Sequence, residues 1–380
     1  MILSLIFLFT CYGILIVLLT IGFFNVKESN NLDSSTRIID HKKTKGISFS
    51  VIIPFRNEVK NLPNLVSSFK EISYPNELVE YIFVDDNSTD DSVAILKQLL
   101  KSNEINTQII KNKRRSNSPK KDAISTAIHH AKNTWIVTTD ADCFVPKKWL
   151  KSFENFIVKN NPKMLIGPVN YAAENTFLAQ FQLLDFMSLK GSTIGGFGLK
   201  VPFLCNGANL AYKKSEFIAL NGFEGNDNIA SGDDIFLFEK FIEKDKKNVH
   251  FIKTLEATVT TFPVKNFTKL MHQRVRWASK TSKLKSKTAK IIGSVVFLTN
   301  LSIVIAFFIP ENRVYFGRII AAKMCIDLIL LIPTIRFYKH VQSFLKWYLL
   351  CTIAYPFFNV FIVIKSLVSN YQWKGREFKK

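Results

Sequence analysis

Cysteine is scarce: the chain has five in 380 residues, and none stand in paired spacing. Cys11, Cys325 and Cys351 lie in apolar runs, so neither a disulfide framework nor a zinc site follows from them. Glycine-rich phosphate loops are missing, since neither G-x-G-x-x-G nor G-x-x-x-x-G-K-[ST] occurs; any phosphate must be held by metal and by basic side chains. Acids are outnumbered, with 30 Asp and Glu against 51 Lys and Arg, for a net charge of +21. Nucleic-acid binding would account for that excess, but no nucleic-acid motif accompanies it. There is no internal repeat and no long low-complexity linker.

What is present begins with apolar ends. Ile2 to Phe24 holds no charged residue and is about the length of one bilayer-spanning helix. It lacks the basic start, short apolar core and small-x-small site of a signal peptide, so it reads as a retained anchor, 1–25. Lys27, Arg37, Lys42, Lys43 and Lys45 follow in a linker, 26–46, and the positive-inside rule then puts the central region in the cytoplasm. Near the other end, Ile291 to Ile309 is again uncharged, and two shorter apolar stretches follow at about Ile319–Ile332 and Trp347–Ile364. These read as transmembrane or re-entrant helices over 291–370, with Lys323 and Asp327 four apart and able to pair, and a basic tail at 371–380. Three full crossings leave WKGREFKK outside, against its charge; either one segment fails to cross or the tail breaks the rule. Nine Lys or Arg and no acid between Ala257 and Lys290 make a juxtamembrane patch suited to anionic lipid headgroups. The expected location is a bacterial-type inner membrane, multi-pass, with a cytoplasmic catalytic domain over 47–290.

That central region alternates strands and helices. SFSVIIPF, LVEYIFVDD, TQIIKN and TWIVTTD read as four strands, separated by helix-period patterns. The order predicts an α/β fold with a mostly parallel sheet and helices on both faces, whose ligands sit beyond the carboxyl ends of the strands. Polar residues gather there: Arg56 and Glu58 after the first strand, Asp85 and Asp86 after the second, Asp140 and Asp142 after the fourth. Each alone reads as a solvated turn or a helix cap. Three acidic strand ends on one rim favour a metal-dependent nucleotide site.

The segments VIIPFRNE, VDDNSTD, SPKKDAI, TTDADC, CNGANLAY, SGDDIFLFEK and QRVRW, in that order between apolar ends, resemble the membrane-bound family 2 glycosyltransferases of GT-A (Rossmann-like) fold. That group includes cellulose, chitin and hyaluronan synthases and ceramide-type glucosyltransferases. The resemblance implies that Asp85 and Asp86 contact the nucleoside, with Pro54, Arg56 and Glu58 nearby. It implies a diphosphate contact for Lys120, although Pro119 stands where the family usually has glycine. Asp140 is expected near the ribose or metal and Asp142 as a metal ligand, with Mg²⁺ or Mn²⁺ as the ion. In SGDDIFLFEK, Asp234 takes the place of the catalytic base beside Asp233; the alternative for either acid is an N-cap. In QRVRW, Arg276 neutralises the diphosphate, Gln273 orients it and Trp277 stacks by the acceptor. Asn206 and Gly207 belong to the acceptor-side loop. FLAQFQLLDFMSLKGSTIGGFGLK reads either as an interfacial helix with a mobile loop or as a core helix.

The implied activity is inverting, metal-dependent transfer of a sugar from a nucleotide sugar, UDP-linked, to a lipid or lipid-linked acceptor. Membrane lipids are expected partners, nucleic acid is not, and the oligomeric state is open. A processive polysaccharide synthase shares the Q-x-x-R-W pattern but needs more helices for a channel. A non-catalytic scaffold would lose a carboxylate at 142 or 234, and both are intact.

Overall fold

Phe49–Phe55 carries β-branched and aromatic side chains buried on both faces, the pattern of a central parallel strand. The computed structural model of the chain describes residues 2–29, 46–101, 104–172, 174–227 and 229–378. Most of the expected linker, including Arg37, Lys42, Lys43 and Lys45, lies outside the described residues.

In chain order the first elements are α1 (Ile2–Asn25), β1 (Phe49–Phe55), α2 (Leu62–Lys70), β2 (Val79–Asp85), α3 (Ser92–Leu99), β3 (Thr107–Lys111), α4 (Pro119–His130) and β4 (Trp135–Thr138). Next come α5 (Trp149–Asn160), β5 (Met164–Ile166), β6 (Val169–Tyr171), α6 (Phe177–Gly198), β7 (Leu210–Lys213), α7 (Lys214–Ala219), α8 (Asp233–Asp245), β8 (Val249–Phe251) and β9 (Val259–Thr261). The chain continues with α9 (Phe267–Ser279), α10 (Lys287–Phe308), α11 (Arg313–Phe337), α12 (Val341–Val368), β10 (Tyr371–Trp373) and β11 (Arg376–Phe378).

Two compact units result, one of Lys27–Asn170 and Cys205–Phe262, the other of Met1–Val26, Tyr171–Leu204 and Pro263–Lys380. The expected catalytic region 47–290 is therefore divided, and α6 and α9 belong with the apolar helices. The reason lies in long-range packing: the apolar face of α9, at Met271 and Val275, is buried against Ile362 and Phe358 of α12.

The sheet unit matches the expected class. Its seven strands run β3-β2-β1-β4-β7-β5-β8, and only β7 is antiparallel to its neighbours. Phe55 pairs with Asp85 and Asp85 with Lys111, so the carboxyl ends of β1, β2 and β3 are level on one rim. Because β7 runs backwards, Leu210 at its start lies opposite Thr138 at the end of β4. That brings the short turn Gly207–Asn209 to the same rim. Asn209, fully buried, anchors the turn: it donates to the Pro168 and Ala257 carbonyls at 2.7 and 2.8 Å and accepts from Trp149 Nε1 at 2.9 Å. All its strong hydrogen-bonding capacity on those atoms is met, which is what a buried amide requires.

Among the described residues of the other unit, three helices are long and apolar enough to cross a membrane: Leu3–Asn25, Lys287–Phe308 and Val341–Val368. The stretches expected at Ile319–Ile332 and Trp347–Ile364 are parts of longer helices, of 25 and 28 residues. Charge and proline end an apolar run in sequence but not these helices. Lys323 pairs with Asp327 one turn on, as expected, and Tyr12 of α1 donates its hydroxyl to the same carboxylate at 2.5 Å. Pro356 sits inside α12. Within the basic tail, residues 371–378 form a β10–β11 hairpin turned at Lys374 and Gly375, both at positive φ, as a two-residue hairpin loop demands.

The segment FLAQFQLLDFMSLKGSTIGGFG forms one continuous helix, α6, with most of its residues buried, so the mobile-loop reading is corrected. Its glycines serve close approach. A Cβ on Gly22 of α1 would lie 2.1 Å from the Gly195 carbonyl oxygen, and one on Gly198 would lie 1.8 Å from that of Gly22. The two backbones touch where a side chain has no room. Gly195→Leu is expected to destabilise this unit by at least about 1–3 kcal/mol. A thermal melt of the detergent-extracted chain unchanged by the substitution would count against this contact.

Candidate active site

Lys120 is the hub of the sheet unit's rim. Ser118 is the N-cap residue of α4 and Pro119 takes the first helical position, where a missing N–H costs nothing and the fixed φ suits the helix. Proline therefore starts the helix where glycine was expected, and Lys120 follows at its first turn. The Lys120 ammonium donates to Asp140 Oδ1 at 2.6 Å and lies 3.1 Å from Asp233 Oδ2. Burial alone would lower its pKa; the charges of Asp140 and Asp233 more than reverse that and hold it raised.

Asp233 and Asp234 open α8 behind Gly232, which is the N-cap at φ +85°. A Cβ there would sit 2.7 Å from the Phe236 ring, so S-G-D-D needs its glycine. Neither aspartate is the N-cap, which corrects that alternative. Both carboxylates lie in the first turn, where the helix dipole favours negative charge. Asp234 accepts from the Gly207 N–H at 3.2 Å and from Ile235 N–H at 2.8 Å. The Gly207 carbonyl in turn accepts from the Thr138 hydroxyl at 3.0 Å. A Cβ on Gly207 would approach Asp233 Oδ2 and Asp234 Cβ to 3.2 Å, tighter than a side chain tolerates without a shift. A circuit thus closes from α4 through the end of β4 and the Gly207 turn to α8, and it brings together Lys120, Asp140, Asp233, Asp234 and Gly207. Asn206 caps the turn, its Oδ1 accepting from Ala208 N–H at 3.0 Å.

The D-x-D pair has unequal surroundings. Asp140 is engaged by Lys120, whereas Asp142 is half-buried with Cys143 Sγ 3.9 Å from its Oδ1. Burial, together with the charges of Asp142 and Asp140, pushes the Cys143 thiol well above its ordinary range, so it is a neutral packing group.

The nucleoside-side residues hold one another. Asp85 Oδ1 accepts from Ser88 N–H at 2.9 Å, and buried Asp86 accepts from Asn112 Nδ2 at 2.7 Å with Arg114 3.8 Å away. Neither caps α3, whose N-cap is Asp91. Arg56 donates to the carbonyls of Asp86 (2.9 Å) and Asn87, tying the first strand-end loop to the second. Buried Glu58 accepts from Asn61 Nδ2 at 2.6 Å, and Pro54 pairs with Val84 within the sheet.

Gln273, Arg276 and Trp277 lie on α9 of the other unit, all half-buried. Sequence reasoning missed two neighbours of the predicted residues. Lys121, nearly fully buried, donates to the carbonyls of Asn226 and Ile229 at 2.9 Å for the latter, fixing the loop that leads to Ser231 and α8. Asn209 anchors the Gly207 turn. Their only sequence signals were a doubled lysine and a second asparagine in CNGAN.

Residues 50–216 match the model described as Glycosyl transferase family 2. The chain resembles the poly(ribitol-phosphate) beta-N-acetylglucosaminyltransferase TarS of Staphylococcus aureus, at 28% identity over 120 residues, 32% of this chain and 20% of that protein. It also resembles the poly(ribitol-phosphate) beta-glucosyltransferase of Bacillus spizizenii, at 31% over 124 residues, 32% of this chain and 19% of that protein. The chain thus matches about a fifth of the length of these curated relatives. Among solved structures, the mannosyltransferase PcManGT from Pyrobaculum calidifontis, in complex with GDP-Man and Mn²⁺, superposes with a TM-score of 0.58 at 16% identity, over 96% of this chain and 97% of that one. That likeness is one of fold. The fold is GT-A, a mostly parallel sheet with its acidic rim, accompanied by apolar helices. Within it the chain carries a glycosyl transferase family 2 domain.

Proposed function

We propose that this chain transfers a sugar from a nucleotide-sugar donor, UDP-linked, to a lipid or lipid-linked acceptor at a membrane, with inversion at C1. It is then a membrane-bound member of family 2, multi-pass in the inner membrane, with 47–290 as the catalytic region facing the cytoplasm. The observation that carries the reading is the circuit in which one ammonium, Lys120, stands between Asp140 and Asp233 beside the Asp234 carboxylate.

In the reaction, the acceptor hydroxyl loses its proton to Asp234 as its oxygen attacks C1, and the bond from C1 to the diphosphate breaks. Lys120 and Arg276 neutralise the departing diphosphate, and Gln273 orients it. Asp85 and Asp86 hold the nucleoside, with Pro54, Arg56 and Glu58 shaping the loop around it. Asn206 and Gly207 let backbone approach the sugar, Asp233 keeps Lys120 in place, and Trp277 stacks by the acceptor.

The residues fit a divalent ion. Lys120 already puts a positive charge against Asp140, and the donor atoms of Asp140 and Asp142 are hard carboxylate oxygens. Among the described residues no three His, Cys, Asp or Glu side chains converge as ligands. Two carboxylates match Mg²⁺ or Mn²⁺, which keep waters and substrate phosphates in their shell. Asp142 and Asp140 would hold the ion, which when bound supplies charge neutralisation to the diphosphate. A metal also accompanies the GDP-Man of the similarly folded mannosyltransferase.

A second acceptor class has a specific observation behind it: both relatives named above act on poly(ribitol-phosphate). A chain of net charge +21 would attract such a polyanion. One experiment tests all of this. Membranes containing the chain are given labelled nucleotide sugars, with divalent ion present or chelated, and the products are divided into lipid and polymer fractions. Label is expected in lipid, with chelation lowering it by about 10²-fold or more. Incorporation indifferent to chelation would remove the metal role of Asp140 and Asp142; label in polymer alone would favour the second acceptor.

A further inference from the structure

QRVRW holds two arginines, and they are placed differently. On α9 the buried side chains are Leu270, Met271, Arg274 and Val275, one stripe at helical spacing. Gln273, Arg276 and Trp277 fall on the neighbouring, half-buried face. Arg274, only 5% exposed, occupies a position in the stripe where an apolar residue would pack.

Its charge is met from two other helices of the same unit. Asp185, the lone acid of α6, lies 2.5 Å from Arg274 Nε through Oδ2. Tyr355 of α12 donates its hydroxyl to the other oxygen, Oδ1, at 3.0 Å. The guanidinium continues outward: Nη1 donates to Gln273 Oε1, and the cation lies 4.2 Å from the Trp277 ring centroid. A buried ion pair is a poor device for stability alone, since apolar residues of similar volume often serve as well or better. It is an effective device for fixing rotation, because the guanidinium is held at Nε by a carboxylate oxygen whose partner oxygen is itself held by Tyr355, so turning the helix breaks a buried charged contact.

We infer that Asp185 and Tyr355 are positioning residues. Through Arg274 they set the rotation of α9 and the amide orientation of Gln273, whose Oε1 is turned to Arg274. The inference rests on the proposed function and deepens it: Arg274 is the orienting arginine of QRVRW, a role distinct from that proposed for Arg276.

The test uses the full chain in detergent or native membranes. Asp185→Asn is expected to lower kcat about tenfold or more, with the donor KM changed less than kcat, because leaving-group neutralisation matters most in the transition state. Asp185→Glu should recover part of the loss. The decisive variant is Asp185→Leu with Arg274→Met, which removes both charges. It is expected to melt near the wild-type temperature yet stay about tenfold or more down in kcat, because nothing then orients Gln273. Wild-type turnover in that double variant overturns the positioning role and leaves a structural pair only. If the double variant does not fold, unchanged kcat in both Asp185→Asn and Tyr355→Phe overturns it instead. A wild-type chain that transfers no sugar from any nucleotide donor counts against the proposed function; an active wild type with an equally active double variant counts against the clamp alone.

Discussion

Replacing Asp234 by asparagine lowers sugar transfer by about 10²–10⁴-fold, the range of a positioned general base, and leaves nucleotide affinity near wild type. The substitution keeps volume and shape, and its single amide oxygen can keep one of the two backbone contacts, that of Gly207 N–H at the Oδ2 place, which ties the turn to α8, while the contact of Ile235 N–H at Oδ1 is given up. What disappears is a group able to take a proton. Asp234→Ala is a harsher change, because it also removes the acceptor for the Gly207 N–H at the closest backbone approach in the site. Side-by-side measurement of UDP binding and of transfer separates the two effects. Near-normal transfer in Asp234→Asn would remove Asp234 as the base and return it to the architecture of the turn.

Lys120→Gln has two effects of opposite sign. Turnover is expected to fall by about 10²-fold, because a charge aimed at the developing diphosphate is lost in a partly enclosed site. Affinity for Mn²⁺ in the absence of nucleotide is expected to rise several-fold, since the ammonium that now neutralises Asp140 and Asp233 is gone. Lys120 side-chain exposure is 17% and that of Asp140 is 35%, so this interaction is screened but not abolished by solvent. The raised pKa of Lys120 means the ammonium persists throughout the neutral range. Its contribution to stability is full below the ordinary lysine value of about 10.4 and is lost only as pH rises beyond it. Titration of Mn²⁺ into wild type and Lys120→Gln, followed by its electron spin resonance signal, decides the matter. Equal or weaker ion binding in the variant would mean that Lys120 and the metal do not share the carboxylates.

The parts of this arrangement that were legible in sequence are those in which local pattern and chemistry coincide. β1 to β4 were readable because β-branched runs of strand length end in polar clusters, and a parallel sheet then forces Asp85 and Asp140 to one rim. In S-G-D-D the acids were singled out through the resemblance, and that Gly232 would be the left-handed N-cap before them was not foreseen, because it depends on the Phe236 ring packing over it. Lys120 was placed with the diphosphate, and its ion pairs with Asp140 and Asp233 were not foreseen, because they join residues 20 and more apart in the chain. The length of α11 was underestimated because Lys323 and Asp327 break an apolar run in one dimension while satisfying each other in three. Asp185 passed unnoticed for the same reason: a single acid in an apolar helix has no meaning until the helix carrying its arginine, some ninety residues on, is folded against it.

The contact between Gly22 and Gly195 has a consequence for synthesis. α1 leaves the ribosome before α6, which makes the groove it fits and which follows only after six strands and four other helices have been translated. Until then α1 is an apolar rod with an unmet backbone-to-backbone contact. The chain must therefore complete much of one unit before the other can close, and α1 waits for its neighbour. An unrelated apolar helix of equal length could form as early, but without glycine at the crossing it would have nothing to receive the late arrival.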